Sequence, residues 1–270
     1  MPVSSNFKKT LMINLCSHYL TDIKNIGFNI LGGVIVILLE RIYFFINKII
    51  RFYRIKKIFG EDVGIDYKLV YGQFSLKNVF DNEGEPLNYP FTKSENGTSH
   101  SIIDPVSFSD TKAAKYISLL IAKETGCYSE LVSDSEFGKD SDKSYCSTGG
   151  YSNNRSIEIL ESENNQFFDF YLPGDSIPGI IDKETNEITI NNNPEFDLGI
   201  LIKIKNRYFP KRSQMCIAGL NIWGTSGAAW FLANKWKEVY RIVGKNEFGI
   251  IIKVKKGNDQ ESEIIKIKVK

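Results

Sequence analysis

An apolar run near the N-terminus limits what this chain can fold into more than any other feature. Residues 26–39 are almost wholly apolar, Glu40 and Arg41 interrupt them, and a second apolar run continues to residue 50. A bilayer span needs about 20 apolar residues, and a charge at mid-span costs roughly 3 kcal/mol. Because Glu40 and Arg41 are adjacent and long enough to reach toward the interface, the pattern predicts a transmembrane or membrane-anchoring helix over residues 26–50, after an N-terminal segment of residues 1–25.

Two other structures fit the same segment. Polar residues recur at helical spacing at positions 40, 41, 47, 48, 51 and 54, as in an amphipathic helix that lies on lipid headgroups. A buried helix of a soluble protein is the third alternative. A secretory signal is disfavoured, because the apolar run begins late and no small-residue cleavage site follows it.

Charge is distributed unevenly along the chain. Residues 1–57 hold nine Lys or Arg and two Asp or Glu, a net +7, whereas the whole chain of 270 residues carries +2. The remainder therefore carries −5, which argues against a nucleic-acid partner. The basic juxtamembrane stalk, residues 51–60, predicts a single-pass protein with a cytoplasmic domain over residues 61–270 and the lipid bilayer as a partner. Gly32-Gly33 would allow close helix approach in a homo-oligomer.

Strands and helices alternate through residues 61–270. The patterns predict a helix from residue 111 to about 125 with Asp110 as its N-cap and Gly126 at its end. They also predict a long loop over residues 78–105, a hairpin around Asn186 and antiparallel strands near the C-terminus. The interleaving indicates a Rossmann-like α/β fold, with a mostly parallel sheet, helices on both faces and some antiparallel strands.

Two glycine-rich turns each join a predicted strand to a predicted helix. Glycine lets the backbone approach a ligand closely, and a helix N-terminus offers unpaired N–H groups to an anion. Ligands on open α/β sheets lie beyond the carboxyl ends of the strands. The alternative is that the glycines only permit tight turns and close helix–sheet packing. The predicted ligand-binding residues are Ser147, Thr148, Gly149, Gly150, Ser152 and Asn153 in the first turn, and Gly219, Gly224, Thr225, Ser226 and Gly227 in the second.

The pairing of Gly149-Gly150 with the later Gly219-Leu220 and Gly224-Thr225 resembles the Rossmann-like superfamily of lysine-decarboxylase-like (LOG) proteins and SLOG nucleotide sensors of bacterial defence systems. This resemblance covers residues 144–237 and implies a nucleotide or related phosphate ligand. Several members are fused to transmembrane segments, so it also implies a membrane-anchored signalling sensor. The LOG pattern P-G-G-x-G-T-x-x-E has Ala228 where its catalytic glutamate stands, so the resemblance does not extend to the hydrolase activity.

Two further hypotheses concern chemistry and scaffolding. Asp197 precedes an apolar strand, where an acid could act on an N-glycosidic bond, so it is the predicted catalytic residue of a nucleotide hydrolase or transferase. Four cysteines and two histidines lack the spacing of a zinc site, so we predict no metal and no cofactor. Cys146 and Cys216 are predicted to be buried core residues. A membrane scaffold without any ligand is the remaining hypothesis.

Overall fold

A computed structural model describes residues 33–73, 91–93, 99–101, 106–138, 141–174, 177–190 and 192–270. The helices are α1 (33–59), α2 (Phe108–Thr125), α3 (Asn154–Leu160) and α4 (Ile222–Val243). The strands are β1 (Lys68–Tyr71), β2 (Phe91–Lys93), β3 (Ser99–Ser101), β4 (Glu130–Ser133), β5 (Tyr145–Thr148), β6 (Phe168–Tyr171), β7 (Gly179–Asp182), β8 (Ile188–Ile190), β9 (Phe196–Lys205), β10 (Ser213–Gly219), β11 (Phe248–Lys255) and β12 (Asn258–Val269). The chain divides into two compact units, one up to Arg51 and one from Phe52 onward.

The first unit contains the larger part of α1. Six consecutive apolar residues from Val34 to Leu39 are exposed, as are several large apolar side chains between residues 42 and 50. No helix among the described residues is long and apolar enough to cross a membrane. Glu40, Arg41 and Lys48 all fall within residues 33–50, and residues 26–32 of the predicted span lie outside the described residues. The predicted single-pass span is therefore not found in the described part of the chain.

A seven-stranded sheet organises the second unit, in the order β12-β11-β9-β10-β5-β1-β4. The pairs from β10 through β5 and β1 to β4 are parallel, whereas β9, β11 and β12 are added through antiparallel pairs. Five of the seven strands consequently run in the same direction. The predicted α/β class with a mostly parallel sheet is confirmed, and so are the antiparallel strands near the C-terminus.

The two faces of this sheet bury different elements. Side chains alternate between faces along a strand, so that Leu69 and Met215 belong to the core that includes α2 and α4. Their neighbours Val70 and Cys216 belong to the core that includes α3 and the three-stranded sheet β6-β7-β8. Helices therefore cover both faces, as predicted. Cys146 and Cys216 are buried free thiols, which confirms the prediction for both.

The last two turns of α1, which fall within the predicted stalk of residues 51–60, contribute side chains to this core. Ile55, Ile58 and Phe59 are completely buried and pack with residues of α2 and α4. The basic residues Lys56 and Lys57 lie between these buried residues in the sequence. The apolar spacing of the three residues follows one helical face, and this face packs in the core of the second unit, to which the three residues belong.

Local structure corrects one predicted helix boundary, confirms two other predictions and refines a third. Helix α2 begins at Phe108 because Ser107 is its N-cap, with Asp110 N–H donating to the Ser107 hydroxyl at 3.4 Å. Gly126 ends the helix in the left-handed region, as predicted. The hairpin around Asn186 is confirmed by the pairing of β7 with β8. The predicted loop over residues 78–105 contains the antiparallel pair β2 and β3.

Asp182 joins the small sheet to the main sheet. This carboxylate of β7 is only 2% exposed. Its Oδ1 accepts a hydrogen bond from Lys268 at 2.7 Å, and its Oδ2 forms an ion pair with Lys266 at 2.9 Å; both lysines are on β12. Burial alone would raise the pKa of Asp182. The two lysines and the backbone N–H groups of Glu184 and Thr185 outweigh burial and hold that pKa well below its usual range.

Replacing Asp182 with Asn removes this charge and keeps the shape. We expect Asp182→Asn to lower the free energy of unfolding near neutral pH by about 3 kcal/mol, as when one partner of a buried ion pair is lost. Because the pKa is lower in the folded than in the unfolded state, the stabilising contribution is present above the unfolded-state pKa of about 4 and is lost as the pH falls. In urea unfolding of the full chain, the difference in free energy of unfolding between wild type and variant should therefore be smaller at acidic than at neutral pH.

Glu184→Gln is the matched control for this prediction. Glu184 contacts the same Lys268, but its side chain is 72% exposed, so we expect a loss below about 1 kcal/mol. The role given to Asp182 would be contradicted if both variants lost the same free energy of unfolding, or if the loss in Asp182→Asn did not change with pH.

Candidate functional site

The candidate site is a cleft at the carboxyl ends of two neighbouring parallel strands. The chain leaves β5 toward α3 on one face of the sheet and leaves β10 toward α4 on the other face. Such a change of side between adjacent strands opens a crevice, which is where ligands bind in open α/β sheets. The cleft here has a volume of about 330 Å³. Its lining comprises Ser107, Ser109, Asp110, Gly150, Tyr151, Ser152, Phe170, Leu172, Gly219, Leu220, Asn221, Ile222 and Thr225.

Both predicted turns contribute to this cleft. Of the predicted ligand-binding residues, Gly150 and Ser152 of the first turn and Gly219 and Thr225 of the second turn line it. The fold therefore brings together two sequence segments that are about seventy residues apart. Seven other predicted residues lie beside the cleft or behind it, and their contacts are mostly structural.

In the first turn, glycine allows a carboxylate to come close to the backbone. Gly149 has φ +96°, and a Cβ atom added there would lie 2.3 Å from Asp110 Oδ2. Its N–H donates to the carbonyl of Ile217 at 2.9 Å, which ties the turn to β10. A Cβ atom on Gly150 would lie 2.9 Å from the Phe170 ring. Asp110 and Phe170 thus leave no room for a side chain at Gly149 or Gly150.

Three polar residues of the first turn are directed into the protein. Asn153 is completely buried; its amide donates to the carbonyls of Val70 and Thr148, each at 2.9 Å, and its oxygen accepts from the N–H groups of Arg155 and Ser156. Ser147 is also buried and donates to Met215 O at 3.2 Å. Thr148 is buried, and its hydroxyl has no hydrogen-bond partner among the described residues.

In the second turn, most of the small residues serve close packing. A Cβ atom on Gly219 or Gly224 would collide with backbone, and one on Gly227 would lie 2.2 Å from Val254. Ser226 donates to Asp259 at 2.8 Å. At Gly227 the structure shows the close helix–sheet packing that the sequence had left open as the alternative to ligand binding.

Asp197 organises the start of α4 and is not among the residues that line the cleft. It is 1% exposed, and its carboxylate accepts from Gly224 N–H at 2.6 Å, Leu198 N–H at 2.9 Å and the Asn221 amide at 3.2 Å. A carboxylate at a helix N-terminus stabilises the helix and satisfies its free donors. All three of these contacts are structural, and the catalytic role predicted for Asp197 stays a prediction.

The carboxylate that does line the cleft is Asp110, which the sequence had indicated only as a helix cap. It is 3% exposed and accepts hydrogen bonds from Ser109 at 3.1 Å and Ser152 at 3.2 Å. Burial raises the pKa of Asp110, while the hydroxyl groups around it oppose that rise. No Lys or Arg is among the residues that line the cleft. Asp110 is therefore a buried acid without a cationic partner there.

An aromatic wall stands on the α3 side of the cleft. Tyr151 packs edge-to-face on Phe170 with ring centroids 5.7 Å apart, and its hydroxyl donates to Asp169 at 3.1 Å. Burial and the neighbouring Asp169 raise the pKa of Tyr151 to about 12, so the phenol stays protonated at neutral pH. Burial likewise raises the pKa of Asp169. The wall offers aromatic faces and no cationic group.

The position of Asp110 at the start of α2 indicates a place in the cleft only once the order of the strands is known. Because β1 and β4 are parallel neighbours and α2 connects them, the N-terminus of α2 must lie at the same edge of the sheet as the carboxyl ends of β5 and β10.

The described residues contain no group of three or more His, Cys, Asp or Glu placed to bind a metal ion.

No protein-family model matches the sequence, and no curated protein matches it either. The resemblance to the LOG and SLOG proteins consequently depends on the two glycine turns alone.

The environment of Asp110 leads to a prediction about stability. Its pKa is higher in the folded than in the unfolded state, so ionisation of Asp110 reduces stability as the pH rises above the unfolded-state pKa. We expect Asp110→Asn to unfold at a higher urea concentration than wild type at neutral pH. The difference in stability between the variant and wild type should become smaller at pH values where the wild-type carboxyl is protonated. A variant that is less stable than wild type at neutral pH, and equally so in acid, would contradict this account.

Proposed function

We propose that this chain binds a nucleotide-derived small molecule in the cleft between the two glycine turns. The observation that carries the proposal is the convergence of both turns on one cleft at the point where the chain changes sides of the sheet. Binding sites on such folds occur at this position, and pockets of this size are typical for small ligands.

The chemistry of the lining favours the nucleoside part of such a ligand. Asp110 accepts hydrogen bonds, and the hydroxyls of Ser152 and Thr225 both donate and accept them, which suits the hydroxyl groups of a ribose. Tyr151 and Phe170 supply aromatic surface for a base. At the N-terminus of α4 the Asp197 carboxylate already accepts from Gly224 N–H and the Asn221 amide, so the lining favours the nucleoside part of the ligand over its phosphate.

Calorimetry on the full chain tests the proposal with AMP, cyclic AMP, cyclic GMP, NAD and ADP-ribose, and with adenosine and inorganic phosphate for comparison. We expect binding of at least one nucleotide, and a loss of at least about tenfold in affinity in Asp110→Asn, since a lost charged hydrogen bond is worth roughly 1.5–3 kcal/mol. Asp142→Asn is the control, because Asp142 pairs with Arg212 outside the cleft. Absence of binding across the panel would refute the proposal and would favour the scaffold hypothesis.

An N-glycosidic hydrolase or transferase is the second candidate, favoured by the position of Asp110. A carboxyl group whose pKa is raised by burial is suited to donate a proton to a leaving group. Chromatographic detection of free base released from nucleotides would support this function if Asp110→Asn abolished the release. Binding of a nucleotide without release would favour a sensor.

We propose further that α1 associates with a membrane. The support is the exposed apolar surface between Val34 and Ile50, together with the basic residues Arg51, Arg54, Lys56 and Lys57 that follow it. So many large apolar side chains exposed on one helix are unfavourable in water. A basic segment after the apolar one would hold the remainder of the chain on the cytoplasmic side.

Flotation of the full chain with lipid vesicles tests this association. We expect wild type to float with vesicles and the double variant Val36→Lys/Phe44→Lys to remain largely in the dense fraction, because each charge costs roughly 3 kcal/mol inside the bilayer. Extraction of the bound protein by alkaline carbonate would indicate a helix on the surface, whereas resistance would indicate insertion. Equal flotation of wild type and variant would contradict the proposal.

A further inference from the structure

A second cleft, which we call the basic cleft, lies at the opposite end of β10 from the candidate site. It has a volume of about 310 Å³ and is formed by the end of α1, the end of β9, the loop into β10, the turn after α4 and the last residue of the chain. Ser213, the first residue of β10, lines it, whereas Gly219, the last residue of that strand, lines the other cleft. Eight Lys or Arg and two Glu line the basic cleft.

A buried lysine forms the floor of the basic cleft. Lys203 of β9 is 5% exposed, and its ammonium group donates to Lys57 O at 2.6 Å and to Lys245 O at 3.2 Å. Lysine has three N–H donors, so one is left after these two bonds. Burial lowers the pKa of Lys203 to about 8, and Glu247 opposes that change. An anion in the basic cleft would favour the charged form of this lysine.

Some of the other cations already have carboxylate partners. Glu61 contacts Lys57 at 2.7 Å. Glu247 contacts Lys205 at 3.7 Å. Arg212 pairs with Asp62 and, at 2.7 Å, with Asp142. These pairs account for part of the positive charge by internal neutralisation.

Lys211 and Lys245 are different, because neither pairs with a carboxylate within the described residues, and both are exposed. The structural role of Lys203, which joins the ends of α1 and α4, does not require either of them. Several like charges around one concave surface repel each other, and this repulsion is relieved when an anion binds between them. The geometry therefore has room and charge for a compact anion.

We propose that the basic cleft binds a phosphate-bearing polyanion, with Lys211 and Lys245 as its exposed contacts and Lys203 at its floor. Two sources of such a group fit the same chemistry, namely a free polyphosphate and the phosphorylated headgroup of an anionic lipid. Lys56 and Lys57 also line the basic cleft and follow the apolar part of α1 by only a few residues in the chain.

The test uses the full chain, the double variant Lys211→Gln/Lys245→Gln and the control Lys115→Gln/Lys256→Gln. The control removes the same charge from two exposed lysines that do not line the basic cleft. Calorimetry with pyrophosphate and with inositol hexakisphosphate measures the free anion. Flotation with phosphatidylcholine vesicles, with and without phosphatidylglycerol, measures the lipid headgroup, because only the increase caused by the anionic lipid is compared.

We expect the double variant to lose roughly ten- to thirtyfold in affinity, since a lysine near an anionic surface contributes about 1 kcal/mol, whereas the control stays close to wild type. A loss confined to calorimetry identifies a free polyphosphate, and a loss confined to flotation identifies a lipid headgroup. Equal losses in the double variant and the control, or no binding of either probe by wild type, would overturn the proposal. Urea unfolding of each variant checks that the fold is retained.

Discussion

Asn153 is completely buried, and its side chain makes four hydrogen bonds that join three elements of the fold. The amide N–H groups reach the ends of β1 and β5, and the amide oxygen caps the first turn of α3. Only an uncharged group with both donors and acceptors can satisfy two carbonyls and two N–H groups at once. Because the chain turns sharply from β5 into α3 at this point, the position of the first glycine turn depends on these bonds, and with it one wall of the candidate site.

The two clefts have opposite electrostatic character, and the difference follows from the sheet. At the carboxyl ends of β5 and β10, the lining combines Asp110 with hydroxyl groups and aromatic rings. At the amino end of β10, where α1 and α4 end, carbonyl groups and helix C-termini attract cations, and Lys203 lies between two such ends. A single ligand class is therefore not expected to satisfy both. The polar, acidic cleft suits a sugar or base, whereas the basic cleft suits phosphate.

Much of the fold could be predicted because it depends on local patterns. The alternation of strands and helices predicts the α/β class, and the two strand–turn–helix segments predict the turns that line the candidate site. The place of Asp110 was missed because the connection from β1 to α2 passes through residues 74–107, whose polar composition hides the parallel crossover. The role of Asp197 was open for a similar reason. A strand-edge acid has the same sequence pattern whether it faces a ligand or caps the next helix, and only its contacts with Gly224 and Asn221 distinguish the two.

The burial of Ile55, Ile58 and Phe59 has a consequence for how the domain could be separated from the rest of the chain. The composition suggests a boundary at residue 61, after the last of the basic residues. A fragment cut there would lose three completely buried side chains and leave a hole lined by α2, α4 and the sheet. The last two turns of α1 would therefore have to be kept with the domain in any excision, fusion or exchange. They continue the preceding helix in the sequence, but their side chains pack in the core of the domain.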